Sequence, residues 1–396
     1  MISVKEATAK ILSHSMNFEV EAVPLQNVFG RLLLEDLFAD TDLPPFDRVM
    51  MDGIAVRSSD VLSGNRKFEI TGIQRAGDQA QELGSINTCM EVMTGAVCPT
   101  NADAIIPYEL IQIENNIATI GEITMRAGMN IHARATDYKA GDLLVNAHST
   151  ISTSIIGVAA SIGRTELGVA KYPGVHIFST GDELVEVHET PAAHQIRRSS
   201  VHVLKAMLKA RGIEASESHL SDDESIIRRS LSDALEKKEV ILITGGVSKG
   251  KFDLIPEMLK SSGVEQIFHR IAQKPGKPMW FGRNEKTTVF AFPGNPVSTV
   301  VCARRYLMPW LDKSFRKNSP TIKVALVHDI QIKTGLTIFS LVTVAQHKDG
   351  LFYASEIKGN GSGDFVSLSN ATGFIELPDT RTTYVKGELV EYYDLF

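Results

Sequence analysis

GVHIFSTGDELVEV, residues 174–187, opens as an apolar run and stops abruptly at Ser179-Thr180-Gly181-Asp182-Glu183. A short apolar run bounded by a glycine turn reads as a strand buried on both faces, and two adjacent carboxylates then stand in the loop that follows it. Outward from this stretch, over 174–312, strand-like runs alternate with amphipathic helices: SVHVLKAMLKARG, EVILITGG, DLIPEMLKSSG, TTVFAF and PVSTVVCARRYLMPWLD follow in turn. Such alternation predicts a doubly wound, mostly parallel α/β sheet. Ser221 with Glu224 reads as a capping box, and Ile227, Leu231 and Leu235 follow it at four-residue spacing on one helical face.

The flanking regions differ. Residues 2–15 carry apolar positions at helical spacing, a Pro44-Pro45 break follows, and 68–123 turn to short alternating apolar runs with glycine turns, which predicts a β-rich module. TSIIGVAASIG reads as a helix stopped at Gly163. From 321 onward the helical pattern ends, and TIKVALVHDIQI, FSLVTVA and YVKGELVEYY predict a terminal β-barrel or sandwich.

At 396 residues the chain has room for two to four cores, and its net charge of −6 with interspersed signs offers no basic face for nucleic acid or an anionic membrane. Cys89, Cys98 and Cys302 are too scattered for a disulfide framework or a zinc site, and they fit a reducing cytoplasm. The N-terminus lacks the unbroken apolar core of a signal peptide, and no run approaches the length of a membrane helix.

In an open parallel sheet, ligands bind beyond the carboxyl ends of the strands. Each polar motif of the central region falls at such a place. STGDE follows the first strand, SDDE (221–224) the second, TGGVSKGKFD (244–253) the third, KPGKP (274–278) lies near the next, and FPGNPVS (292–298) follows the last. The glycines let backbone amides approach an anion, and Lys274 and Lys277 put point charges on a Pro-Gly turn, which suits phosphate or another tetrahedral oxyanion. Asp182, Glu183, Asp222, Asp223 and Asp253 would repel that anion. Acid and base together imply a divalent cation between carboxylates and phosphates, and hard oxygen ligands favour magnesium over zinc. Asp222 and Asp223 both stand as candidates. The eleven histidines contain no HxH or HExxH spacing, and Ser179, Ser248 and Ser298 lack an evident base that would make them nucleophiles.

PPFDRVMMDGIAV (44–56), EVMTGAVCP (91–99), GMNIHARATDYKAGD (128–142), STGDEL (179–184), TGGVSKGKFD, QKPGKP (273–278) and FPGNPVS occur in this order. With them the chain resembles, over nearly its whole length, the molybdopterin molybdenumtransferase family of the MoeA and gephyrin E-domain type. The resemblance implies an extended linker domain from 1–45 and 138–170, a β-rich domain at 46–137, a molybdopterin-binding α/β domain at 171–317 and a C-terminal β-barrel at 318–396. It implies a homodimer, insertion of molybdate into adenylylated molybdopterin with release of AMP in the presence of Mg2+, and work in the cytoplasm beside other molybdenum cofactor biosynthesis proteins.

The same resemblance implies the site. Glu183, Asp222 and Asp253 would hold magnesium, with Asp223 as the alternative that would orient water. Ser179, Thr180, Gly181, Asp182, Gly245, Gly246, Ser248, Pro278, Gly294, Asn295, Pro296 and Ser298 would line the substrate. Lys274 and Lys277 would hold molybdate, Ser367 would reach it from the C-terminal domain, and Asp52, Thr94 and Asp137 would act from across the dimer.

Several positions depart from the family pattern. TGLTIFSLV (334–342) has Leu336 and Leu341 where the family carries oxyanion-gripping arginines; His132, Ala135 and Thr136 replace arginine, glycine and glutamate; and Arg198 to Ser200 read RSS in place of DSN or DTN. Two other readings are therefore kept: a non-catalytic molybdopterin-binding or scaffolding homologue, favoured by the missing arginines, and a molybdopterin adenylyltransferase, disfavoured by the extra domains and by GGVS in place of GGTG. Tungstate could stand for molybdate, since the two anions share charge and shape.

Overall fold

The computed structural model describes residues 1–247, 254–317, 320–333, 335–359, 361 and 363–395. The chain forms two compact units, Met1–Val20 with Ala170–Phe396, and Glu21–Val169.

In the unit Glu21–Val169, a six-stranded sheet runs in the order Ala104–Pro107, Gly53–Val56, Thr88–Val92, Lys67–Gln74, Ile117–Ile120 and Ile111–Glu114. Its inward residues, among them Ile54, Val56, Phe68, Cys89 and Ile106, form one core. Gly53 is required there, because a Cβ would lie 2.0 Å from the Ile106 carbonyl oxygen. A second core gathers Val28, Leu33, Leu37, Ile151, Ile162 and Val169, so segments distant in sequence close on each other around the helix Thr153–Ser161.

The other unit holds the sheet predicted from the alternation. Its strands are β1 (Val175–Thr180), β2 (Ala215–Leu220), β3 (Val240–Thr244), β4 (Glu265–His269), β5 (Trp280–Arg283) and β6 (Thr288–Phe292), in the spatial order β2-β1-β3-β6-β5-β4. β2, β1, β3 and β6 pair in parallel, and β5 runs antiparallel to both its neighbours. Every residue of β3 is buried. Ile241 and Ile243 join the core that includes Ile227, Leu231 and Leu259, contributed by α2 (Glu224–Lys237) and α3 (Ile255–Ser261). α1 (Ser200–Lys209) packs on β1 and β2 and meets α4 (Pro296–Cys302).

The expected capping box is corrected. α2 begins at Glu224 and its N-cap is Asp223, whose carboxylate accepts from the backbone N–H of Ser225 at 2.8 Å and of Ile226 at 3.1 Å. Ser221 stands outside the helix, because an aspartate two positions nearer the helix reaches the free amides of the first turn.

The last region is a closed five-stranded barrel: β7 (Ile322–Leu326), β8 (Thr337–Gln346), β9 (Phe352–Glu356), β10 (Gly373–Leu377) and β11 (Leu389–Asp394) run in the order β8-β9-β7-β11-β10, and β10 pairs back onto β8. Val324, Leu326, Val342, Ala354 and Ile375 fill it. The pair Gln273–Lys274 adds to this barrel, parallel to β8, with Lys274 opposite Ile338.

The N-terminal helix Val4–Ser13 also belongs to the unit Met1–Val20 with Ala170–Phe396. After α4 the helix continues through Ala303–Leu307 into α5 (Met308–Ser314), and there Trp310 Nε1 donates to the His14 carbonyl at 2.9 Å while the Ser314 hydroxyl accepts from Met16 N–H at 3.1 Å.

The Asp223 cap generates a test with a defined sign. The Ser225 hydroxyl first, then the amides of Ile226 and Ser225, hold the Asp223 carboxyl below its ordinary value. Its contribution to stability is therefore full above about pH 4 and is lost as pH falls through the lower, folded value. Asp223→Ala should lower the urea midpoint at neutral pH, and the gap to the native chain should close in acid.

Candidate functional site

The parallel strands deliver their loops to one edge. A cavity of about 510 Å³ lies there, lined by Ser179 and Thr180 at the end of β1 with Gly181 and Glu183 beyond it, Asp222 after β2, Thr244 at the end of β3 with Gly245 and Gly246 beyond it, and Gly294, Asn295 and Pro296 after β6. Its floor is backbone. Gly245 has φ +95°, and a Cβ there would meet the Thr180 hydroxyl at 2.7 Å, while a Cβ on Gly294 would stand 3.6 Å from the Gly245 Cα. The approach to Thr180 requires glycine at 245, whereas a Cβ on Gly294 would make only an ordinary van der Waals contact.

One rim is acidic. The Asp182 carboxylate accepts from Asp222 N–H at 3.1 Å. Burial, followed by the neighbouring Asp182 and Glu183 charges, pushes the Asp222 carboxyl above its ordinary value. Asp222 thus faces the cavity, while Asp223 is committed to its helix. Among the described residues no group of three or more His, Cys, Asp or Glu is arranged as a ready metal cage. All three cysteines are buried, and burial pushes each thiol up to about 12.

A further part of the lining entered the sequence reading only as a departure from the family pattern. Leu184–Val185 pairs with Ile196–Arg197, and this ladder carries Arg198, Ser199 and Ser200 to the cavity wall. The Arg198 side chain is 4% exposed and bridges Glu186 at 2.8 Å and Glu217 at 3.2 Å. Two-residue strands leave almost no periodicity to read, so only the departure from the DSN pattern signalled this segment.

A second cavity, of about 1100 Å³, shares Pro278, Pro293 and Asn295 with the first. Lys274, Lys277 and Ser298 line it, together with barrel residues that include Lys333, Leu336, Ile338, Ser340, Leu341 and Glu356. β5 runs antiparallel to β6, with Trp280 opposite Ala291, so the KPGKP turn that precedes β5 lies level with the carboxyl end of β6. The Ser340 hydroxyl donates to Glu356 at 2.5 Å. Ser367 lies outside both linings; its hydroxyl donates to Asp364 at 2.5 Å.

Asp52, Thr94 and Asp137 lie in the unit Glu21–Val169. Both the hydroxyl and the amide of Thr94 donate to Asp52 at 2.6 Å, and these bonds, the hydroxyl's first, hold the Asp52 carboxyl below its ordinary value. Asp137, with Leu43, Pro44, Arg48 and Tyr138, lines a hollow of about 570 Å³. His132 stands 3.1 Å from Asp137 and 3.0 Å from Arg48. Ser248 and Asp253 lie outside the described residues.

Comparison with known proteins agrees with this arrangement along the whole chain. Residues 2–163 match the MoeA N-terminal region (domain I and II), 176–313 match the probable molybdopterin binding domain, and 323–395 match the MoeA C-terminal region (domain IV). A molybdopterin molybdenumtransferase of Synechocystis sp. is 37% identical over 99% of this chain and 100% of its own length, and one of Bacillus subtilis is 29% identical over 98% and 94%. Two crystal structures of the molybdopterin biosynthesis MoeA protein from Pyrococcus horikoshii superpose with TM-scores of 0.85 and 0.80 at 25% and 26% identity, each covering 100% of this chain and 99% or more of its own. The chain is therefore a member of the molybdopterin molybdenumtransferase family.

Proposed function

We propose that the protein inserts molybdate into adenylylated molybdopterin and releases AMP, a late step of molybdenum cofactor biosynthesis. The observation that carries this reading is the pair of adjoining cavities. One, with glycine loops and an acidic rim, suits the phosphates of the adenylylated pterin; the other, with Lys274 and Lys277, suits a tetrahedral dianion; and the shared wall of Pro278, Pro293 and Asn295 puts the two occupants side by side. The relatives named for this transfer, aligned over the full chain, support it.

The crowded Asp182, Glu183 and Asp222 fit magnesium, which takes one or two carboxylates and completes its shell with water and phosphate oxygens. Glu183 and Asp222 would hold it, with Asp253 as a further ligand. When bound, the ion would neutralise the phosphates and polarise the bond to the leaving AMP. The protein's own residues do the rest. Gly245, Gly246 and Gly294 leave room for the phosphates against the backbone, Ser179 and Thr180 offer hydroxyls, and the lysines hold the oxyanion while the two dithiolene sulfurs displace two of its oxygens, which leave as water with protons from the thiols and the solvent, and a further water cleaves the phosphoanhydride to free AMP.

The same reading includes a homodimer in the cytoplasm, with Asp52, Thr94 and Asp137 acting across it, and exchange of product with other proteins of the pathway. Among the described residues no helix is long and apolar enough to cross a membrane. Leu336 and Leu341, lining the second cavity where the family has arginines, favour a scaffolding protein as the second reading.

Three outcomes are expected. The native chain, given adenylylated molybdopterin, molybdate and magnesium, releases AMP, and Lys277→Ala loses roughly 100-fold of that rate, the usual scale for one oxyanion donor; a native chain that binds the pterin yet releases no AMP with molybdate or tungstate is a scaffold. Asp222→Asn raises the magnesium concentration needed for half-maximal release and Asp223→Asn leaves it unchanged, which a magnesium titration reads directly. Sedimentation at micromolar protein gives twice the chain mass.

A further inference from the structure

Lys274 and Lys277 sit on a turn whose underside is built from buried polar groups. Gln273, Cys302 and Tyr306 are 0%, 0% and 1% exposed. The Gln273 carboxamide donates to the Pro275 carbonyl at 3.0 Å and to Cys302 Sγ at 3.4 Å, and its oxygen accepts from the Tyr306 hydroxyl. The main chain closes the turn from Ile271 N–H to the Lys277 carbonyl at 3.0 Å. Gly276 has φ +90°, and a Cβ there would meet Cys302 Sγ at 2.4 Å and Gln273 Nε2 at 2.7 Å. The turn is thus moulded onto one carboxamide, which one phenol holds in place.

That phenol comes from a π turn. Ala303–Leu307 interrupts the helix between α4 and α5, and such interruptions re-aim consecutive side chains. Three neighbours there go to three places. Arg304 Nε donates to the Asp394 carbonyl at 2.6 Å, Arg305 donates to Glu376 at 2.8 Å and to the Thr8 hydroxyl at 3.0 Å, and Tyr306 reaches Gln273. The Arg305 guanidinium also lies 5.1 Å from the Tyr393 ring centre. The barrel, which supplies the facing wall of the oxyanion cavity, and the lysine turn are therefore registered by the same five residues of helix.

This registration has a chemical use in this chain. With leucines at 336 and 341, the described cations lining the cavity are Lys274, Lys277 and Lys333. An ammonium on a flexible stem carries charge without the directed fork of a guanidinium, so direction has to come from the backbone that bears it. We infer that Gln273 and Tyr306 are positioning residues for the oxyanion: the buried Tyr306–Gln273–Pro275 chain sets where Lys274 and Lys277 present their charges. The inference rests on the oxyanion role proposed for that cavity.

Tungstate binding to the full-length chain, measured by titration calorimetry without pterin, tests this apart from turnover. Tyr306→Phe, which removes one oxygen, and Gln273→Met, which keeps the side-chain length, should each weaken tungstate about tenfold. Each should raise the KM for molybdate similarly and leave the KM for the adenylylated pterin unchanged. In a Lys277→Ala background, Tyr306→Phe should cost less than it does in the native chain, because the share of its effect that runs through Lys277 is gone. The inference is overturned if the native chain does not bind tungstate, if either folded variant binds it within twofold of native, if both KM values rise together, or if the two losses multiply in the double variant. If tungstate affinity falls as expected while the native chain releases no AMP, the transferase reading fails and the positioning role stands.

Discussion

The central ladder of β1, β3 and β6 constrains everything around it. β3 is buried at every residue, so its amides and carbonyls have only the neighbouring strands as partners and both its faces need apolar cover. Parallel pairing meets both needs, since each strand must be followed by a crossover that brings a helix back over the sheet. The consequence is positional. All four parallel strands end at one edge, where loops 180–183, 221–223, 244–247 and 293–296 have no choice but to meet.

At that edge each cavity carries both signs in different proportion. Glu183 and Asp222 line the first beside Arg197 and Arg198, and Lys274, Lys277 and Lys333 line the second with Asp329 and Glu356. The Asp222 carboxyl registers the cost on the acidic side, where burial and like charges act in the same direction. Arg198 shows the contrary case: it lines the acidic cavity, but Glu186 and Glu217 already share its charge.

The parts of this arrangement legible in the sequence are those with a local cause. Strand and helix periods announced the α/β sheet, and glycine loops after apolar runs announced the first cavity. Ser221 was misread as the cap because serine and aspartate both suit that role, and only the positions of the first free amides decide between them. Pairing across long separations left no trace: nothing in KPGKP signals that Gln273–Lys274 adds to a barrel strand more than sixty residues later, or that the first helix docks near Trp310. The KPGKP turn itself marked Lys274 and Lys277, and the resemblance to a known family added the two leucines, yet neither gave a role to Gln273 or Tyr306. Their role depends on a π turn, and sequence patterns with a 3.6-residue period do not register one.

A buried polar chain is a costly way to hold a turn if stability is the only gain. Apolar packing would hold it as firmly, and the buried Arg305–Glu376 pair nearby pays a similar desolvation cost. What hydrogen bonds add is uniqueness, because the Gln273 carboxamide meets its partners in one orientation and a hydrocarbon in several. A site that must hold a mobile dianion against a second anion gains from that. Two ammonium groups can surround a tetrahedral oxyanion in many arrangements of similar energy, and only a fixed turn selects among them before the anion arrives. Preorganisation is then supplied from beneath the lysines, by buried groups that carry no charge of their own.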